Sequence, residues 1–210
     1  MKKRNRTTSA KPEKNEIDTD KQKELMSSGK ANILVVVRCR PLSKKEIEFS
    51  EVETVKIVNE KVVFILDPLE ATGADDVPLH RSKEQQYAFD YAFDKNIGQQ
   101  QIYENSCKFL LPGIIEGYNA TVFAYGATGA GKTYTMLGTD EEPGVMVRSL
   151  SDLFNIISNE NGNIKVKLTY IEIYNETLRD LLNNGENLEL REDPNKGSQL
   201  IGVNEIEVNS

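Results

Sequence analysis

The stretch FAYGATGAGKTYTMLG, residues 123–138, contains the pattern G-x-x-x-x-G-K-[ST] at residues 126–133. A short apolar run, residues 121–125, precedes the pattern, and a helix-compatible segment follows it. A strand, a tight loop and a helix in this order form the context in which the pattern binds phosphate groups. Its glycines let the backbone amides surround an anion, because no Cβ atom stands in the way.

The residues that end the pattern have separate predicted roles. A helix that begins near Lys132 directs the positive end of its dipole toward an anion. Lys132 would reach the β- and γ-phosphates of a nucleotide, and the Thr133 hydroxyl would ligate Mg²⁺. A Gly-rich turn that binds nothing is the alternative. The complete predicted cradle is Gly126, Ala127, Thr128, Gly129, Ala130, Gly131, Lys132 and Thr133.

A base-binding site beside this cradle is a second hypothesis. Tyr134 offers a flat ring directly after the loop, while Arg40 and Pro41 follow another apolar strand. If the two strands are neighbours, a nucleotide base fits between these side chains. Because Tyr and Pro are more often packing and turn residues, the residues alone leave this open.

Composition limits the class of protein. The 210 residues, 38% hydrophobic and 28% charged, suffice for one α/β domain or part of a larger one. No run of eighteen apolar residues exists, so we expect no membrane span. Residues 1–31 are polar, begin with a basic run and lack the apolar core of a secretory signal, which predicts a disordered tail.

Charge and side-chain chemistry exclude several functions. Residues 1–31 hold nine Lys and Arg and five Asp and Glu, leaving 17 basic and 28 acidic residues after them, a net charge of about −11. Residues 32–210 are therefore a poor candidate for nucleic-acid binding, because that binding requires positive side chains that neutralise phosphates. His80 is the only histidine, which excludes a catalytic triad or multi-histidine metal site. Cys39 and Cys107 are predicted to be reduced core residues.

Apolar alternation predicts strands at residues 33–37, 89–94, 121–125 and 164–174, and a hairpin at 54–66 that turns near Asn59 and Glu60. Helical spacing covers residues 97–118 and 145–157, and Pro112 predicts a kink or a fresh helix start. The segment NETLRDLL predicts a short helix capped by Asn175, and residues 187–208 predict two strands around a Pro-Asn-Lys-Gly turn. This mixture is typical of the α/β class.

Several stretches read together resemble one family. VVVRCRPL, FDYAFD, EGYNATVFAYGATGAGKTYTM, EEPGVM and YIEIYNETLRDLL are similar, in order, to the N-terminal part of a kinesin motor domain. The variants GATGAGKT, TMLG, EEPGVM and LREDPNKG most resemble the kinesin-8 class. The resemblance implies an incomplete P-loop NTPase kinesin motor fold over residues 32–210, with the N-terminal portion of the central sheet and its flanking helices.

The resemblance also implies site residues and partners. It assigns the adenine side of an ATP site to Arg38, Arg40 and Pro41, with Tyr134 stacking on the base. Arg191 and Lys196 fall where the family touches tubulin, and an ordinary solvated hairpin is the alternative for them. The loop 67–83 falls where kinesin-8 motors carry an element that can reach the microtubule, although its mixed charge also fits a plain surface loop.

Activity and location follow from the same resemblance. It implies a microtubule-stimulated ATPase that uses ATP and Mg²⁺, located in the cytoplasm on microtubules of the cytoskeleton, with the spindle or axoneme as specific sites. No nucleic acid or membrane partner is expected. A homodimer is expected, formed through a coiled coil in sequence beyond Ser210.

Two family motifs do not occur in the sequence. They are N-x-x-S-S-R-S-H and D-x-A-G-x-E, which sense the γ-phosphate and signal to the track-binding helix in the family. Family topology places later strands between those present, so we expect unpaired apolar strand edges and an insoluble or molten state for these 210 residues alone. Soluble expression with a sharp, cooperative melt would contradict this expectation.

Two other functions remain open on the sequence. One is a truncated kinesin-like protein that binds nucleotide or tubulin without hydrolysis. The other is a non-motor P-loop enzyme, such as a nucleotide kinase or a GTPase. The sequence contains no N-K-x-D guanine signature, and GYNATVFAYG fits the motor family better.

Overall fold

A computed structural model of the chain describes residues 24, 26, 33–68, 85–159, 164–195 and 197–208. The chain divides into two compact units, Met1–Asp152 and Leu153–Ser210, and both helices and strands are present, as the α/β class predicts. Nearly all of the predicted tail, residues 1–31, and most of the loop 67–83 lie outside the described residues. No helix among the described residues has the length and apolar character needed to cross a bilayer.

One strand pair of the first unit is parallel. Strand β1, Val36–Arg38, pairs with β5, Tyr91–Phe93, and Arg38 lies opposite Phe93. All three residues of β5 are buried, in agreement with the strand predicted at FDYAFD. Strand β1 begins later than its apolar run predicts, and Ile33 is 72% exposed. This pair carries Arg38 at the end of a strand.

An antiparallel sheet of three strands lies in the same unit. Its strands, in order, are β2, Val55–Ile57; β3, Val62–Ile65; and β4, Gln85–Ala88. The β2–β3 hairpin is confirmed, with its turn held by the Asn59 side chain, which accepts hydrogen bonds from the amides of Lys61 and Val62 at 2.9 Å each. Strand β4 was not predicted.

Short helices complete the first unit. They are α1, Lys44–Glu48; α2, Gln99–Ser106; a 3₁₀ turn, Lys108–Leu110; α3, Leu111–Ile115; and α4, Lys132–Met136. Pro112 lies in the first turn of α3, so the predicted fresh start is confirmed. Helix α2 buries Ile102 and Tyr103, and the Tyr103 hydroxyl donates a hydrogen bond of 2.8 Å to Asp152 Oδ2. Helix α5, Val145–Asn159, begins in the first unit and confirms the helix predicted at 145–157.

The strand predicted at residues 121–125 is wrong for this structure. No described residue forms a ladder with this segment, and the side chains of Phe123 and Tyr125 are 81% and 96% exposed. A β-strand is defined by backbone hydrogen bonds to a neighbour, so an apolar run without a partner has no ladder to join. The segment therefore enters the phosphate-loop pattern as irregular chain.

The second unit consists mainly of hairpins. Its strands are β6, Val166–Leu168; β7, Ile171–Tyr174; β8, Thr177–Asp180; β9, Glu186–Asn187; β10, Glu189–Asp193; β11, Gly197–Ile201; and β12, Ile206–Val208. The single strand predicted at 164–174 is divided, because β6 pairs with β12 whereas β7 pairs with β8. The predicted hairpin around Pro-Asn-Lys-Gly is confirmed as β10–β11.

The predicted NETLRDLL helix is also wrong. Asn175 and Glu176 have positive φ values of 48° and 60°, and Tyr174 lies opposite Thr177 in the β7–β8 register. Two consecutive left-handed residues form the tight turn whose twist matches a hairpin, and Asn tolerates this conformation well. Asn175 therefore turns the chain instead of capping a helix.

The connection from α4 to α5 has room only for a glycine at position 144. A Cβ atom on Gly144 would lie 2.6 Å from the Met136 carbonyl carbon and oxygen, which are backbone atoms. Gly144→Ala should cost about 1–3 kcal/mol through this overpacking. We expect faster amide hydrogen exchange over residues 132–148.

Gly113→Ala is the matched control, because its Cβ would make only ordinary contacts at 3.8 and 3.9 Å with Tyr118. This helical substitution should leave exchange over residues 132–148 unchanged. Equal exchange in both variants would show that the Gly144 contact does not hold the connection.

Candidate functional site

The loop at residues 126–131 bends tightly ahead of α4. Gly129 and Gly131 have φ values of 82° and 93°, a left-handed conformation that glycine adopts without strain. The amide of Ala130 donates to the Ala127 carbonyl at 3.1 Å, and a Cβ on Gly126 would approach the Ala130 Cβ to 3.0 Å. The backbone therefore favours glycine at positions 129 and 131, and the nearby Ala130 side chain disfavours a larger residue at position 126.

Lys132 lies across this loop. Its Nζ donates hydrogen bonds to the carbonyls of Gly126 and Ala127, both at 2.9 Å. The side chain reaches the loop from the first residue of α4, the helix predicted to begin here. A positive charge, the N-terminal end of a helix and a glycine-rich backbone are thus brought together, and they are the groups an anion requires.

Thr133 stands exposed in the first turn of α4. Among the described residues, no cluster of three or more His, Cys, Asp or Glu side chains could hold a metal ion. Mg²⁺ in nucleotide sites takes few protein ligands and completes its shell with water and phosphate oxygens. A single hydroxyl beside a phosphate loop fits that mode of binding.

Arg38 connects the end of β1 to α4. Its Nη1 donates to Thr135 Oγ1 at 2.9 Å, and its guanidinium carbon lies 5.0 Å from the centre of the Tyr134 ring. This distance is that of a cation–π contact. Burial lowers the pKa of Arg38, although a guanidinium remains protonated at neutral pH. The structure therefore brings together two predicted adenine-side residues, Arg38 and Tyr134.

Gln99 was missed by the sequence reasoning. Its side chain is 1% exposed, its Oε1 accepts from Arg38 Nη1 at 2.9 Å, and its Nε2 donates to the Tyr134 carbonyl at 2.5 Å. The available signal was a polar residue at helical spacing before Ile102 and Tyr103, on the face that α2 buries. Such a position requires hydrogen-bond partners.

Tyr134 is also held at its hydroxyl. The OH donates to Glu142 Oε2 at 2.8 Å, and this hydrogen bond raises the pKa of Tyr134. Glu142 belongs to the turn between α4 and α5, where Gly138 and Pro143 form an isolated bridge. The Tyr134 ring therefore has a fixed orientation between Arg38 and Glu142.

Arg40 has a different partner. Its Nη1 and Nη2 bind both carboxylate oxygens of Glu46 at 2.7 and 2.6 Å, and Nη1 also donates to the Pro41 carbonyl at 2.9 Å. Glu46 belongs to α1, where it completes a capping box with Ser43. Arg40 is thus engaged by α1, whereas Arg38 faces Tyr134.

A cavity of about 820 Å³ borders the loop. Its wall includes Ala127, Thr128 and Ala130 from the loop, Arg38 and Arg40 from the strand end, and apolar side chains of β2, β3 and β4. Lys132, Thr133 and Tyr134 do not line it. The cavity therefore lies beside the predicted phosphate cradle and is not identical with it.

Of the two residues predicted to contact tubulin, Arg191 and Lys196, the structure describes only Arg191. Arg191, on β10, is exposed and donates to Glu189 Oε2 at 2.7 Å, which raises the pKa of Arg191. Lys196 lies outside the described residues. An acidic partner would have to compete with Glu189 for the Arg191 guanidinium.

The strand end, the glycine loop and the helix define a P-loop protein. Residues 38–210 match the sequence model of the kinesin motor domain, so the chain belongs to the kinesin family. This confirms the family predicted from the sequence.

Curated relatives agree with this assignment. Kinesin-like protein KIF19 of Homo sapiens is 47% identical over 178 residues, covering 83% of this chain and 18% of the relative. Kinesin-like protein KIN-8A of Oryza sativa subsp. japonica is 46% identical, covering 82% of this chain and 22% of the relative. Kinesin-like protein KIF18A of Mus musculus is 39% identical, covering 80% of this chain and 20% of the relative. The chain thus spans about a fifth of these relatives, and the predicted similarity to the kinesin-8 class is confirmed.

The Arg40–Glu46 pair predicts a pH effect. Hydrogen bonds from Arg40, and then from Ser43, lower the pKa of Glu46 from 4.5 to about 2. Because the folded pKa is depressed, the contribution of this carboxylate to α1 is complete above pH 4.5 and is lost as pH falls through about 2. An NMR titration of the Glu46 carboxyl carbon should have its midpoint near the lower value.

Arg40→Ala should move this midpoint back toward 4.5, since Arg40 is the largest cause of the shift. Arg191→Ala, which removes an arginine paired with Glu189 in the second unit, is the control and should not move it. A wild-type midpoint near 4.5 would contradict the bidentate pair.

Proposed function

We propose that this chain is the ATP-binding part of a microtubule-based motor that couples ATP hydrolysis to microtubule binding and movement. The observation that carries the proposal is the left-handed glycine loop crossed by Lys132, in a chain that belongs to the kinesin family. Because the chain spans about a fifth of its relatives, activity and partners of the whole protein are part of the proposal.

In the proposed site, the phosphates of ATP bind to the backbone amides of residues 126–131 and to Lys132. Lys132 then exchanges its two carbonyl partners, Gly126 and Ala127, for phosphate oxygens. Such an exchange keeps the ammonium hydrogen-bonded in both states, so binding leaves no buried unpaired charge. Bound ATP supplies the phosphoanhydride that is hydrolysed, and Thr133 is the proposed ligand of Mg²⁺.

The base of ATP is proposed to bind at the Arg38–Tyr134 side. Tyr134 offers a ring fixed by Glu142, and Arg38 offers a planar cation that stacks on π-systems. Arg40 and Pro41 remain part of the proposed adenine side. Arg40 would have to leave Glu46 to contact the base directly, so we propose that it acts mainly by holding α1 beside the strand end.

Tubulin is the proposed partner of the second unit. Arg191 and Lys196 belong to the β10–β11 hairpin and its turn, and positive side chains there would meet an acidic surface. A homodimer and a location on cytoplasmic microtubules, at the spindle or axoneme, belong to the same proposal.

Reading the coding sequence beyond Ser210 tests the motor proposal. The motifs N-x-x-S-S-R-S-H and D-x-A-G-x-E would support the motor, whereas a stop codon would support a binder without hydrolysis.

Replacing Lys132 tests the ATP site. Lys132→Ala removes a charge-assisted donor worth about 1.5–3 kcal/mol, so ATP should bind about 10- to 150-fold more weakly. The measurement is isothermal titration with Mg·ATP, using the protein with any sequence that follows Ser210 retained.

The matched control is Lys108→Ala. Lys108 is an exposed lysine of the same unit that lies 3.8 Å from Asp152, and its removal should leave ATP affinity unchanged. Undiminished ATP binding by Lys132→Ala would refute the proposed cradle.

Replacing Arg191 tests the tubulin contact. Arg191→Ala should weaken microtubule co-sedimentation about two- to fivefold at low salt, and less as ionic strength rises, because exposed charge contacts are weak and screened. Arg179→Ala is the control, since Arg179 is an exposed arginine of the same unit that pairs with Glu172 at 3.8 Å.

An equal loss of binding in both variants would indicate general charge attraction. Unchanged binding by Arg191→Ala would remove this residue from the proposed contact.

A further inference from the structure

In the described part of the first unit, the polar side chain of Gln99 is fully buried. No step of the proposed function uses this side chain. Burying an amide is costly unless both of its ends find partners. Gln99 has partners at both ends, and they belong to two other elements. Arg38 comes from the end of β1, and Tyr134 comes from α4.

The direction of these hydrogen bonds fixes the amide. A guanidinium can only donate, so Arg38 requires the Oε1 end of Gln99, and a carbonyl can only accept, so Tyr134 requires the Nε2 end. The distances are 2.9 Å and 2.5 Å. The Gln99 side chain therefore bridges the strand end and α4.

Thr135 provides the second acceptor for Arg38. Its Oγ1 accepts from Arg38 Nη1 at 2.9 Å and donates to the Gly131 carbonyl at 3.0 Å. Arg38 is thus held between Gln99 and Thr135, and Thr135 ties the same guanidinium to the last glycine of the phosphate loop. The 5.0 Å spacing of Arg38 from the Tyr134 ring follows from this arrangement.

We propose that Gln99 is a positioning residue for the base of the nucleotide, which it serves by holding Arg38 and Tyr134 in a fixed relation. The proposal rests on the proposed ATP site and adds a determinant of base affinity to it. Without the amide, Arg38 loses a buried acceptor and the Tyr134 carbonyl loses a donor. Both groups would then shift to regain partners.

The test separates the base side from the phosphate side of the site. Gln99→Leu removes both hydrogen bonds with little change in volume, and Thr135→Val removes the other acceptor of Arg38 while keeping the side-chain shape. For each variant, the affinities for Mg·ATP and for inorganic tripolyphosphate, which has no base, are measured by titration. The protein is the same as that used for Lys132→Ala.

We expect each variant to bind ATP about tenfold more weakly, while tripolyphosphate affinity stays within about twofold of wild type. In steady-state assays, the KM for ATP should rise more than kcat falls. Gln101→Ala, at an exposed position of the same helix, is the control and should change neither affinity. Retained tripolyphosphate binding also shows that a variant is folded around its loop.

Other outcomes overturn the proposal in distinguishable ways. Equal losses for ATP and tripolyphosphate in both variants, or no loss for either, would make Gln99 a structural residue only. If Gln99→Leu loses both ligands by failing to fold, Gln99→Glu, which keeps the acceptor for Arg38 and loses the donor to the Tyr134 carbonyl, decides between the two roles: a selective loss of ATP affinity supports positioning, and an equal loss for both ligands refutes it. If wild-type protein binds tripolyphosphate as tightly as ATP, the base side contributes nothing. If it binds neither ligand, the proposed ATP site fails together with this inference.

Discussion

The contact between the Lys132 ammonium and the carbonyls of Gly126 and Ala127 is the interaction on which the proposed site depends. It requires a loop that turns back on itself, and that turn requires left-handed backbone at Gly129 and Gly131. A side chain at either glycine would be strained whatever space surrounds it. The same bend places the beginning of α4 beside the loop, so one backbone constraint organises both the charge and the helix end.

The base side is assembled from elements distant in sequence. Arg38 ends β1, Gln99 begins α2 and Tyr134 belongs to α4, and hydrogen bonds through the Gln99 amide join all three. The buried strand β5 supports this arrangement, because it pairs with β1 and is followed in the chain by α2. Packing of an apolar strand pair thus fixes a polar site at its end.

How much the sequence predicts depends on the range of the interactions. The loop, the β2–β3 hairpin and the helix start at Pro112 were predictable, because glycine, turn and proline chemistry act within a few residues. The irregular structure of residues 121–125 was not predictable, since an apolar run becomes a strand only beside a partner strand. NETLRDLL has good helix formers, yet pairing with β7 and the turn at Asn175 determine its structure. Gln99 was missed because its partners lie 35 and 61 positions away.

The most direct test of the central claim is a structure of the protein bound to Mg²⁺ and a non-hydrolysable ATP analogue. In that structure the phosphates should lie against residues 126–131, Lys132 should have moved from the Gly126 and Ala127 carbonyls to phosphate oxygens, and the base should contact Tyr134. A nucleotide bound in the neighbouring cavity of about 820 Å³, with Lys132 still on those carbonyls, would contradict it.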